Sequence, residues 1–146
     1  MTRFWVGAYG ADMEADAAGI GFLAGDDARA ATTLALRGTA VQTPSPSWLA
    51  QHPRLDVVYA ALEGQGAVAA FVRSGDATLT PLGTAVEVGQ YVCHVAVAPD
   101  GAYLIASCYG DGRVVRVGLD ADGRMLRPQI ASAASDPYGA DVDPEP

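Results

Sequence analysis

Tyr91 to Leu119 read YVCHVAVAPDGAYLIASCYGDGRVVRVGL. Two apolar runs meet at Pro99-Asp100-Gly101, and a Gly-rich turn at Gly110-Asp111-Gly112 leads into a third run. Apolar residues recur at every second position in Val95 and Val97 and again in Val115 and Val117, the period of half-buried strands. The stretch predicts a β-meander.

The chain contains this meander twice. An offset of forty-six positions lays Ser47-Trp48-Leu49-Ala50 on Cys93-His94-Val95-Ala96 and Pro53 on Pro99. Without a gap, Val58-Tyr59-Ala60 then falls on Leu104-Ile105-Ala106, and Gly64 and Gly66 fall on Gly110 and Gly112. A repeat of roughly 40 to 50 residues with several strands per unit is the signature of β-propeller blades. The fold expected is therefore all-β, an incomplete β-propeller of about three four-stranded antiparallel blades.

Working outward, Arg3 to Tyr9 resembles the middle run of each later unit, and Gly19 to Leu23 resembles the third run. Ala31 to Leu36 is expected as the outer strand. Nothing before Arg3 supplies an inner strand, so the first unit lacks one. The units span residues 3–38, 46–82 and 91–130. Thr39 to Pro46 and Gly83 to Gln90 are connections, and Arg124 to Ile130 closes the last unit. Residues 131–146, rich in small, acidic and Pro residues, read as an unstructured tail. Propellers close with about 4 to 8 blades, so the chain reads as truncated. Its open blade faces and edges are expected to meet missing blades or to self-associate.

The formal net charge of −8 argues against a nucleic-acid backbone or an anionic membrane as partner. All nine basic residues are Arg, which removes Schiff-base lysine chemistry and the phosphate-binding lysine of a P-loop. No leader-like apolar segment follows Met1, and no run approaches the ~20 residues of a membrane span, so the cytoplasm is the expected compartment. Cys93 and Cys108 carry no metal-site spacing and no metal or cofactor is expected. With the hairpin tip at Asp100-Gly101 they should lie directly opposite each other, either as two buried thiols or as a redox pair.

Several stretches together resemble the lactonase-type seven-bladed propellers that include the bacterial 6-phosphogluconolactonase of propeller fold. They are Val6-Gly7-Ala8-Tyr9 followed by Gly19-Ile20, Pro46 to Ala50, Leu79 to Leu82, Cys93 to Gly101 and Tyr109 to Gly112. The resemblance covers nearly all of residues 3 to 127. It implies the first two and a half blades of about seven, and hydrolysis of a sugar-acid lactone such as 6-phosphogluconolactone. The family's His-x-His segment and channel arginines belong to later blades and are not assigned to this chain, which is therefore expected to be inactive alone. A non-enzymatic propeller serving as a binding scaffold is the rival, since Tyr109 to Val114 also resembles the repeat of surface-layer binding propellers.

Lactone opening needs a base for water and donors for the developing oxyanion. Antiparallel pairing places the start of each inner strand and the end of each middle strand at one rim, which would gather Ser47, His94, Glu63, Tyr109 and Tyr9. His94 reads either as a general base or as a structural histidine, and Glu63 either as a second catalytic carboxylate or as a turn acceptor. Ser47, Tyr9 and Tyr109 are candidates for substrate binding, although the equivalence of Tyr9 and Tyr109 also suits packing between blades. His52 is expected in solvent at the opposite rim. Arg113 and Arg116 are expected as surface charges on opposite faces of the third strand, and Trp5 and Trp48 as packing between blades.

Overall fold

A computed structural model describes residues 1–133. It contains three antiparallel sheets stacked as propeller blades. Blade one holds β1 (Thr2–Val6), β2 (Gly19–Gly25) and β3 (Ala35–Gln42), with β1 at the unpaired inner edge. Blade two holds β4 (Pro46–Gln51), β5 (Val57–Leu62), β6 (Ala67–Gly75) and β7 (Thr78–Pro81). The short β8 (Val86–Glu87) also pairs with β6. Blade three holds β9 (Val92–Val97), β10 (Tyr103–Cys108), β11 (Val114–Leu119) and β12 (Met125–Ile130).

Alternation along each strand sends every second side chain into a layer between blades. Val57, Tyr59, Ala61, Val68 and Ala70 of blade two meet Val92, Val95, Leu104, Ala106 and Val115 of blade three. On the other side of blade two, Val58, Ala60, Leu62, Ala69 and Phe71 meet Ile20 and Ala40 of blade one. Trp5 packs on Phe22 and lies under the Arg73 guanidinium of blade two, and Trp48 Nε1 donates to the Val95 carbonyl of blade three at 3.0 Å. Both tryptophans thus bridge blades.

Four expectations need correction. The outer strand of blade one begins at Ala35 and runs to Gln42, into the expected connection and past residue 38. The Asp26 carboxylate accepts Ala28 N–H, and Asp26 N–H donates to Thr33 Oγ1. These bonds hold 27–33 as a 3₁₀ turn and a single helical turn. The second connection is not wholly irregular, because β8 lies within it.

The cysteines do not face each other. Ser107 pairs with His94 as the hairpin predicts, but the register then shifts and Cys108 pairs with Val92, leaving Cys93 as the extra residue of a β-bulge. Both are free thiols, and burial pushes the Cys108 thiol up to about 11. His52 is buried rather than solvated: its Nδ1 accepts the N–H groups of Arg54 and Leu55, and its ring fits against Gly101 of the next blade's hairpin. A Cβ at Gly101 would stand 2.7 Å from that ring. Of the expected tail, Ala131 still donates to the Val114 carbonyl, and residues 134–146 lie outside the described residues.

Candidate functional site

The middle strand of blade two ends at Leu62, and the chain turns at once through the 3₁₀ segment Glu63–Gln65. Gly66 closes that turn at φ 63°, a conformation that glycine adopts without strain. The turn points Glu63 inward, where it is only 3% exposed. Its carboxylate accepts the Tyr9 hydroxyl at 3.2 Å on both oxygens and the Tyr109 hydroxyl at 3.0 Å on Oε1. Tyr9, Glu63 and Tyr109 follow the middle strands of blades one, two and three, so one repeat position supplies all three members of the cluster.

The electrostatics follow from that geometry. Donation to Glu63 holds the proton on each phenol, and the neighbouring carboxylate charge opposes a phenolate. Both tyrosines are therefore raised above the ordinary phenol range. Both residues stay partly open to solvent, Tyr9 43% exposed and Tyr109 61%.

Around the cluster lies a cavity of about 520 Å³ lined by Ala8, Tyr9, Ser47, Glu63, Cys93 and Tyr109. Four of the five expected residues are thus brought together. Ser47 Oγ is buried and has no hydrogen-bond partner among the described residues, which leaves it one donor and acceptor to offer a ligand. Among the described residues the lining contains no cation.

His94 is not in that lining. It follows Cys93, the extra residue of the β-bulge, where the alternation of the strand is broken and Val92 and Val95 both enter the layer shared with blade two. Cys93 takes the cavity side, while the exposed His94 ring lies against Trp48 with centroids 4.6 Å apart. Cys93 was not expected as a lining residue; its equivalence to Ser47 at the repeat offset was the available signal. Nor was the support beneath the cluster foreseen: Ser45 Oγ accepts Gly10 N–H and donates to Asp12, and Glu63 N–H donates to the Ser45 carbonyl. Arg113 pairs with Asp111 at 3.4 Å, and Arg116 lies over the Tyr103 ring and donates to Gln129. Among the described residues no group of three or more His, Cys, Asp or Glu gathers as a metal site. No helix there is long and apolar enough to cross a membrane.

Stacked blades with a polar cluster where their middle strands end define a propeller with a candidate ligand site on one rim. The chain belongs to the lactonase family of seven-bladed β-propellers, whose sequence model matches residues 3–144. Solved structures agree in fold. A Lactobacillus plantarum protein superposes with a TM-score of 0.74 at 22% identity, covering 90% of this chain and 37% of its own. A proposed 6-phosphogluconolactonase of Bacteroides fragilis gives 0.75 at 20% identity, covering 91% and 36%. One of Bacteroides uniformis gives 0.66 at 17%, covering 98% and 45%. The chain thus spans less than half the length of each of these structures. Among curated proteins no match is found.

Proposed function

We propose that these blades are the N-terminal share of a cytoplasmic propeller that hydrolyses a sugar-acid lactone, of the 6-phosphogluconolactone class, to the open-chain acid. Membership of the lactonase family supports the reaction class. The observation that carries the site is a buried carboxylate faced by two protonated phenols and an unpaired serine hydroxyl in one cavity.

Each phenol has one proton to give. A lactone carbonyl entering the cavity would draw a tyrosine O–H away from Glu63, freeing the carboxylate to accept a proton from water. That water adds to the carbonyl carbon, the tyrosine hydroxyl donates to the developing oxyanion, and Glu63 returns the proton to the ring oxygen as the C–O bond breaks. A cation for the substrate's carboxylate or phosphate must come from other blades, so the three-blade chain alone is expected to be inactive.

Lactone hydrolysis followed by acid release in a complete ring containing these blades tests the reading. Glu63→Gln should lower kcat/KM by about 10²- to 10⁴-fold, the usual range for removing a general base. His94→Ala should leave most of the rate. An unchanged rate in Glu63→Gln would move the base elsewhere. A complete ring that opens no sugar lactone would favour the binding-scaffold reading.

A further inference from the structure

A second cleft, of about 670 Å³, opens on the rim beside the Glu63 cluster, between the turn after β5, the connection into β9 and the end of β12. Its polar wall is made of Gln65, Glu87, Gln90, Asp111 and Arg113, and its aromatic wall is Tyr91.

Tyr91 is the unusual member. Its φ of 52° lies in the left-handed region, which costs a residue with a Cβ about 1 to 2 kcal/mol. The repeat equivalent, Ser45, is also left-handed at φ 34°, so the backbone shape belongs to the lead-in to each inner strand. What differs is the use made of the side chain. Ser45 is fully buried and its hydroxyl is hydrogen-bonded on both sides, which offsets the strain. Tyr91 is 45% exposed and its ring stacks on Tyr109, itself largely exposed, with centroids 5.3 Å apart and planes 16° from parallel. Gly110 makes room for it, since a Cβ there would come within 2.7 Å of the Tyr91 ring. A glycine at 91 would relieve that strain, so the half-exposed ring is held there at a backbone cost that its stack on Tyr109 offsets only in part.

The polar wall indicates what the ring could serve. The Asp111 carboxylate accepts the Gln90 and Arg113 N–H groups, which hold it below the ordinary carboxylate range, and it neutralises the Arg113 guanidinium. With Glu87 added, two carboxylates face one guanidinium, a poor setting for a phosphate or a carboxylate. Planar amides, carboxylates and a guanidinium suit vicinal hydroxyls, and a flat aromatic face suits the C–H face of a ring.

We propose that this cleft binds a neutral, hydroxyl-rich ring, a pyranose sugar, with its apolar face on Tyr91 and its hydroxyls toward Gln65, Gln90, Glu87 and Asp111. The cleft adjoins the Glu63 cavity across the Tyr91–Tyr109 stack, and binding in it does not depend on hydrolysis there.

Saturation-transfer NMR on the full chain tests it with methyl β-glucoside as the probe and gluconate and methyl phosphate as anionic controls. The glucoside should bind, with saturation strongest on its ring C–H protons. Tyr91→Gly should weaken binding about tenfold or more, while Tyr91→Phe, which keeps the ring face, should retain it. Glu63→Gln should leave binding unchanged, which separates this site from the proposed hydrolytic one. The proposal is overturned if the glucoside does not bind, if only the anions bind, or if Tyr91→Gly binds as well as the parent chain.

Discussion

β5 and β10 occupy the same place in successive blades, yet every residue of β5 is buried while β10 alternates between buried and half-buried. Among the described residues blade two has a neighbour on each face and blade three has one. The same repeat position therefore has two environments, as at Tyr59, fully buried, and its equivalent Ile105, only partly so. A blade's core lies between sheets rather than within one, and most of the packing energy belongs to pairs of blades.

Tyr59→Ala should break the contrast most severely. It empties a fully buried site in the layer shared with blade three and removes the donor to the Gly123 carbonyl at 2.7 Å. The expected cost is about 3 to 5 kcal/mol by denaturant titration.

An alkaline titration probes the same layer. Burial raises Tyr59 to about 12 and Cys108 to about 11. Below about pH 8 both groups are protonated whether the chain is folded or not, and their stabilisation is complete. Above that the unfolded chain releases its protons first, so stability falls with rising pH until the folded values are passed. The loss should approach about 2 to 3 kcal/mol per group, because each tenfold difference in proton affinity between folded and unfolded chain is worth about 1.4 kcal/mol. Melting curves should show a decline from about pH 8 that Cys108→Ala makes shallower. A flat profile to about pH 11 would refute it.

The hairpins offer a smaller test. His52→Ala strands two N–H groups and should cost about 1 to 3 kcal/mol. The equivalent residue Ala98 has no such duty. Ile105→Ala, on the open face, should cost about 1 kcal/mol or less.

The smallest stability effect should accompany the largest change in solution behaviour. Phe4 and Leu36 lie exposed on blade one, and Val114 and Leu126 on blade three. We expect these open faces to join copies of the chain. Leu36→Glu with Val114→Glu should shift light scattering toward monomer while moving stability by about 0.5 kcal/mol or less per site. An unaltered molecular mass would count against association through these faces.

Much of this was legible in the sequence because repetition is a long-range signal carried by local residues. The offset that lays Ser47 on Cys93 also located β4, β5, β9 and β10, and the Pro99 to Gly101 hairpin gave the register correctly as far as Ser107 and His94. It failed at Cys93 because a bulge is decided by backbone pairing rather than residue type. The burial of His52 was hidden because its cover, Gly101, comes from another blade. Glu63 stood out as a charge where the repeat has Tyr109, and antiparallel pairing gathered it at one rim with Tyr9, fifty-four residues away, but the hydrogen bond between them depends on how the blades stack. His94 lies outside the cavity lining next to the bulge at Cys93, a shift of register that no residue type announces.

The Tyr9, Glu63 and Tyr109 cluster also bears on how such a site can arise. A repeated unit presents the same position once per blade, already gathered at one rim before any of them has a task. Changing a single copy to an acid, with its neighbours left as tyrosine, is enough to create a shielded carboxylate with two donors. New chemistry in this architecture can thus come from making one repeat unlike the others, with no new loop and no rearranged backbone.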